Sequence, residues 1–224
     1  MKGGNVDSTS KNELRKYLLH ALLKQTYGGH GDQVLSVIRE VLRKEEDSRY
    51  VLRRKNFLFE DLVGIVKLPA NKDLRIIKKD IEEILGYKKG PYTFMVLSLL
   101  YSNLKFGQVK FHQDHIHPAS LFTEAKLRYY GIPEPKWRQW QSVKDELPNL
   151  QIMEGSENES KSKVPFKDWL YGKDESGYPH VFDTAKFLED NYIPSNVSFD
   201  FEAFEAFFKV RKNLLREKIK KVLL

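Results

Sequence analysis

At Phe106 the hydrophobic pattern of this chain changes period, and that change limits its architecture more than any other feature. Upstream, apolar residues recur at intervals of three and four: Leu14, Tyr17, Leu18, Ala21 and Leu22, then Val34, Val37, Ile38, Val41 and Leu42. Such spacing places side chains on one face of a helix, so it predicts two amphipathic helices and a helical first hundred residues. TYGGHGD lies between them, with glycines to end the first helix and Asp32 to cap the second. A phosphate-binding loop is disfavoured there, because no Lys-Ser/Thr follows and no strand precedes it. Asn56 to Leu85 predicts two more helices, broken near Pro69, with Asp73 as a candidate cap. Gly86, Gly90 and Pro91 then punctuate the chain before PYTFMVLSLLYSNL, whose 14 residues fall short of the roughly 20 that a membrane span needs. A buried helix is the expectation.

Downstream, FGQVKFHQDHIHP alternates apolar and polar residues around Val109 and Phe111, which predicts a short strand stopped by Pro118. LPNLQIM, residues 147–153, predicts a second strand after a long polar connection. Ser156 and Glu159 form an S-x-x-E capping box, which starts a helix at Ser156 and puts Asn158 in its first turn. A further helix is predicted from Pro165 to Tyr171. The tail from Ser198 reads as one long amphipathic helix with Phe201, Phe204, Phe208, Leu215, Ile219 and Val222 near one face. Asp200, Glu202 and Glu205 precede seven Lys/Arg from Lys209 onward, an order that the helix dipole favours whether or not the basic face meets a nucleic acid. The fold class expected is α+β, mainly helical, with a small strand–strand–helix core embedded between N-terminal and C-terminal helices. Its divisions are a linker or cloning remnant over 1–10, a helical region over 11–105, the core over 106–175, and a loop plus long helix over 176–224.

Composition narrows the chemistry. With 41% hydrophobic residues in 224, the chain can bury a real core. Its 38 Lys+Arg against 31 Asp+Glu give a net charge of +7, which suits a polyanionic partner without requiring one. The absence of cysteine rules out disulfides and thiolate zinc sites, so a metal would need oxygen and imidazole ligands, as Mg²⁺ or Mn²⁺ accepts. The start, MKGGNVDSTSK, is polar and has no apolar signal region, which predicts a cytoplasmic protein with no membrane association.

Three of the six histidines and an aspartate fall within HQDHIHP, residues 112–118. On a strand, residues two apart face the same way, so His115 and His117 could be a zinc pair with a third ligand such as His112. A polar strand end is the plain alternative. Asp114-His115-Ile116 with Pro118, then Asn149 and, nine residues later, Asn158, resembles the HNH motif of His-Me finger nucleases, whose core is a ββα-metal unit. The spacing of the two asparagines is similar to that in the HNH domain of RNA-guided CRISPR nucleases. The longer run from DHIHPASLF to LPNLQIMEGSENESKSKVPFKDWL resembles the C-terminal nuclease region of GmrSD-type proteins, modification-dependent restriction enzymes of phage defence. YLLHALLKQTYGGHGDQVL is similar to the helical segment joining their two halves. The resemblance implies a partner in DNA, with modified bases as one option, and an N-terminal nucleotide-binding half that this chain does not contain. It also implies that Asn149 pins the loop that orients the catalytic histidine.

Phosphodiester hydrolysis needs a water, a group to take its proton, and positive charge beside the phosphoryl and leaving oxygens. His115 suits the proton step, because imidazole titrates near neutral pH. Asp114 and the amide oxygen of Asn158 suit Mg²⁺ or Mn²⁺. His117 is a candidate for metal or phosphate contact, and Lys161 and Lys163 for the DNA backbone, with solvated lysines as the alternative. Trp137, Trp140 and Trp169 are expected in the core. A degenerate module that binds without cutting, and a zinc-stabilised interaction domain, are the competing readings.

Overall fold

A computed structural model describes residues 7–63, 67–101, 104–105 and 107–224. The expected linker lies outside the described residues over 1–6, and Phe106, the expected start of the first strand, does too. The fold is α+β and mainly helical. Two compact units divide between Asp80 and Ile81.

In the first unit, helix α1 (Ser8–Leu23) starts inside the expected linker because Asp7 caps it, accepting from the Ser10 amide at 2.9 Å. Helix α2 (Gly31–Leu42) has His30 at its cap position, which leaves Asp32 in the first turn. Their inner faces, with Tyr17, Ala21, Val34 and Ile38, pack around Phe59 and Leu62. Leu18 and Leu22 remain 51% and 48% exposed. Both belong to the apolar stripe, but their positions turn them away from this core. The expectation of a purely helical first hundred residues fails at a hairpin, β1 (Arg43–Glu46) with β2 (Arg49–Leu52). Asp47 and Ser48 form its two-residue turn with φ of 47° and 61°, the mirror-image turn geometry that fits twisted strands. Among the described residues between Asn56 and Leu85 there is one α-helix, α3 (Lys78–Leu85), instead of two. Asp73 accepts from the Arg75 amide and is not its cap.

In the second unit, α4 (Pro91–Leu100) is the expected apolar helix. Strand β3 (Phe111–His115) comes next, and the connection after it carries α5 (Glu124–Tyr129) and α6 (Glu134–Val143). Strand β4 (Leu150–Glu154) pairs antiparallel with β3, with Asp114 opposite Gln151 and His115 opposite Leu150. Residues 147–149, expected to start this strand, instead form a single 3-10 turn, Leu147–Asn149, that ends just before it. Helix α7 (Gly155–Lys161) follows at once and packs on both strands. Its cap is Glu154, without a side-chain bond, so the expected capping box at Ser156 is not formed. Helices α8 (Phe166–Tyr171), α9 (Thr184–Asp190) and α10 (Phe204–Leu223) complete the unit.

Its core gathers Phe122, Trp140, Phe166, Phe201, Phe204 and Phe207, and all three tryptophans are buried in it. Helix α10 turns Phe207 inward and leaves Phe208 at the edge and Val222 46% exposed, a rotation of the face expected from the sequence. Among the described residues, no helix is long and apolar enough to cross a membrane.

Arg211 of α10 is fully buried in this unit. Its guanidinium donates to the carbonyls of Pro148 at 2.8 Å, Leu150 at 2.7 Å, Asn191 at 3.0 Å and Tyr192 at 3.1 Å. Removing it would strand several buried acceptors, each of which costs about 1–3 kcal/mol. Arg211→Ala is expected to lower stability by about 3 kcal/mol or more, and Arg211→Lys to recover little, because one ammonium cannot span this fan of acceptors. Urea denaturation of the three proteins measures both.

Candidate active site

Consecutive residues of a strand leave it on opposite sides, and at the end of β3 that alternation sorts the chemistry. Asp114 turns toward α7. Its Oδ2 lies 2.8 Å from Lys161 Nζ and accepts from Gln151 Nε2 at 3.3 Å. Lys161 also donates to the His115 carbonyl at 2.6 Å and is wholly buried. His115 turns to the chain just before β4, where its Nε2 is 2.8 Å from Asp145 Oδ1.

Asn149 ties these two places together. Its Oδ1 accepts from the His117 amide at 3.0 Å, while Nδ2 donates to the His117 carbonyl at 3.0 Å and to the Lys144 carbonyl at 2.7 Å. The Asn149 carbonyl accepts from the Ile116 amide at 2.8 Å. One fully buried side chain thus fastens the end of β3 to the turn that carries Asp145. The amide accepts one bond and donates two, whereas a carboxylate has no proton to donate and a hydroxyl only one.

Burial lowers the pKa of His115, partly offset by the hydrogen bond and charge of Asp145; the Lys89 charge lowers it further and that of Asp114 raises it. The ring is thus disposed to be neutral near neutral pH, as a proton acceptor must be. Burial also lowers the Lys161 pKa, against the raising effect of Asp114. An ammonium without water needs such a partner.

The other expected residues fall differently. Asn158 is partly exposed and stands one turn before Lys161 on α7, which makes the two neighbours on the helix surface. The bonds to Lys161 and Gln151 engage one oxygen of Asp114, leaving Oδ1 for another ligand. A carboxylate oxygen and an amide oxygen suit Mg²⁺ or Mn²⁺, which keeps waters in its remaining positions. Lys163 is exposed. Lys161 does not serve as a contact to the DNA backbone: it is an internal strut, held where no phosphate reaches it. His117 is no metal or phosphate ligand either. It is fully buried with ring centroids of Phe166, Phe201, Phe204 and Phe207 at 6.1, 6.1, 5.6 and 4.8 Å, and neither ring nitrogen has a hydrogen-bond partner among the described residues. His112 lies against Gly155, at the start of α7. The zinc trio of His112, His115 and His117 is therefore not assembled, and among the described residues no three His, Cys, Asp or Glu side chains are grouped to hold a metal.

Asp145 was not foreseen. It belongs to no motif, and only the turn brings it to the histidine. No protein-family model matches the chain, and no curated protein matches it. The geometry of these residues therefore carries the functional argument.

Burial among phenylalanines pushes the His117 pKa down to about 3. The unfolded chain binds a proton near the ordinary value of about 6.5, so stability falls as pH drops below that point, by about 1.4 kcal/mol per unit. His117→Leu removes the penalty. It is expected to stabilise the protein by about 2 kcal/mol more at pH 5 than at pH 7, as read from urea denaturation at the two pH values. A gain independent of pH would contradict the neutral, caged imidazole.

Proposed function

We propose that this chain is a divalent-metal-dependent endonuclease of HNH type that hydrolyses DNA phosphodiester bonds. The observation that carries this reading is the strand–strand–helix unit formed by β3, β4 and α7, in which Asp114 and His115 end the first strand, Asn149 clamps it and Asn158 sits on the helix. That order of residues over strand, strand and helix is what supports the reading.

In this mechanism His115 accepts the proton of the attacking water, while Asp145 holds the ring in place. Asp114 and Asn158 would hold Mg²⁺ or Mn²⁺, which would supply positive charge to the phosphoryl group in hydrolysis. Lys161 fixes the Asp114 carboxylate. Lys163, exposed just after α7, contacts the DNA backbone. Asn149 touches no substrate and acts through the backbone of residues 144 and 117. The setting is cytoplasmic phage defence, with modified or unmodified DNA as substrate and a nucleotide-binding half as partner.

A second reading has one specific observation in its favour. The Lys161 ammonium already neutralises Asp114, as in a module that binds nucleic acid or a partner protein without cutting it. Plasmid nicking separates the two. The parent is expected to nick with Mg²⁺ or Mn²⁺ and not with EDTA, and His115→Ala to be slower by about 10²–10⁴-fold. Asn158→Ala is expected to lose activity and regain part of it at raised metal concentration, since a ligand and not the base is gone. Equal nicking by parent and His115→Ala removes the assigned base. A parent that never nicks, alone or with a nucleotide-binding half, leaves the binding module.

A further inference from the structure

Asp145 stands outside the motif, yet its surroundings are built to hold it. The turn that carries it is fastened from two directions. Its own carbonyl accepts from the Lys89 amide at 2.9 Å, and the Leu147 amide donates to the Tyr87 carbonyl at 2.9 Å, so residues 145–147 are laced to the segment before α4. A bridge pairs Glu146 with Lys88 between those two bonds. From the other side, Asn149 Nδ2 holds the Lys144 carbonyl while the rest of that amide holds His117. The distance from strand end to turn is thus set by hydrogen bonds to the backbone on both sides.

Its two carboxylate oxygens are used unequally. Oδ1 meets His115 Nε2 at 2.8 Å, and Oδ2 is 3.9 Å from Lys144 Nζ. A carboxylate has no proton to give, so the short contact requires Nε2 to carry hydrogen. A neutral imidazole carries one such hydrogen, which leaves its Nδ1 lone pair as the basic position.

We propose that Asp145 is a positioning residue that locks His115 in its Nε2–H tautomer, so that Nδ1 is the nitrogen presented to the attacking water. The catalytic use of that nitrogen rests on the nuclease reading; the tautomer itself does not. The constraint has the logic of an orienting carboxylate behind a general base, in which the carboxylate selects ring orientation and protonation site without taking the proton.

The test uses the full chain with ¹⁵N-labelled histidine, observed by long-range ¹H–¹⁵N spectra at pH 8, where the ring is neutral. His115→Gln identifies the resonances by their loss. The parent is expected to show a protonated Nε2 and an unprotonated Nδ1. In Asp145→Asn the side-chain amide can donate to Nε2, so the Nδ1–H form is expected to appear; Asp145→Glu is expected to keep the parent tautomer. Nicking assays should then show kcat lower by about 10- to 100-fold in Asp145→Asn with little change in KM, and partial recovery in Asp145→Glu. An Nδ1–H tautomer in the parent, or an unchanged spectrum in Asp145→Asn, overturns the proposal. Should Asp145→Asn fail to fold, the parent spectrum alone still decides which nitrogen bears hydrogen. A parent with the expected tautomer that never nicks counts against the nuclease reading and leaves the role of Asp145 in place.

Discussion

Carbonyl oxygens from two distant stretches of chain converge on the guanidinium of Arg211: Pro148 and Leu150 on one side, Asn191 and Tyr192 on the other. Burial pulls the arginine down to about 10, still well above neutrality, so the charge persists inside the core and the carbonyl dipoles compensate it. The consequence for the site is direct. Pro148 and Leu150 flank Asn149, so the arginine of α10 fixes the backbone from which the clamp extends. The clamp in turn holds the end of β3 and the turn of Asp145. A residue near the C-terminus thus sets the separation of an imidazole and a carboxylate that belong to other elements.

The two faces of β3 solve the burial of polar groups in opposite ways. Toward α7, Lys161 keeps its charge and is given a carboxylate and a carbonyl. Just beyond the strand, His117 gives up its charge and is surrounded by aromatic rings, with no partner for either nitrogen among the described residues. The first arrangement rigidifies, because an ammonium without its carboxylate would be far more costly than the pair. The second is tolerated because a neutral imidazole is small and flat enough to pack edge-on against phenylalanine. Between them His115 is only partly desolvated, with 13% of its side chain exposed. That intermediate position leaves the ring within reach of water.

Much of the fold was legible locally. The helical period over α1 and α2, the alternation that marks β3, the apolar run of α4 and the charge order of α10 each report the environment a segment needs on its own. The hairpin of β1 and β2 escaped because RKEE and RYVL carry no clean alternation, being exposed on most sides; only the Asp47-Ser48 turn marks it, and that signal is weak without glycine. Leu18 and Leu22 were legible as apolar but not as exposed, since a helix with apolar residues over a wide arc can present more than one face. The capping box at Ser156 was a correct pattern in the wrong place: β4 runs into α7 without a loop, so Glu154 takes the cap position.

By itself the sequence determined that His115, Asp114, Asn149 and Asn158 occur in the order and spacing of a strand–strand–helix unit, and that any metal here would meet oxygen and nitrogen ligands. Only the tertiary structure decided what each of their neighbours does. Lys161 and Lys163 are two residues apart and alike on paper, yet one is wholly buried on Asp114 and the other faces solvent. His115 and His117 are similarly alike, yet one meets a carboxylate and the other four phenylalanines. Asp145 carries no mark at all until a turn brings it to the imidazole. The reason is physical: spacing along the chain sets which way a side chain leaves its strand or helix, whereas its charge state and partners depend on the elements that fold over it from elsewhere.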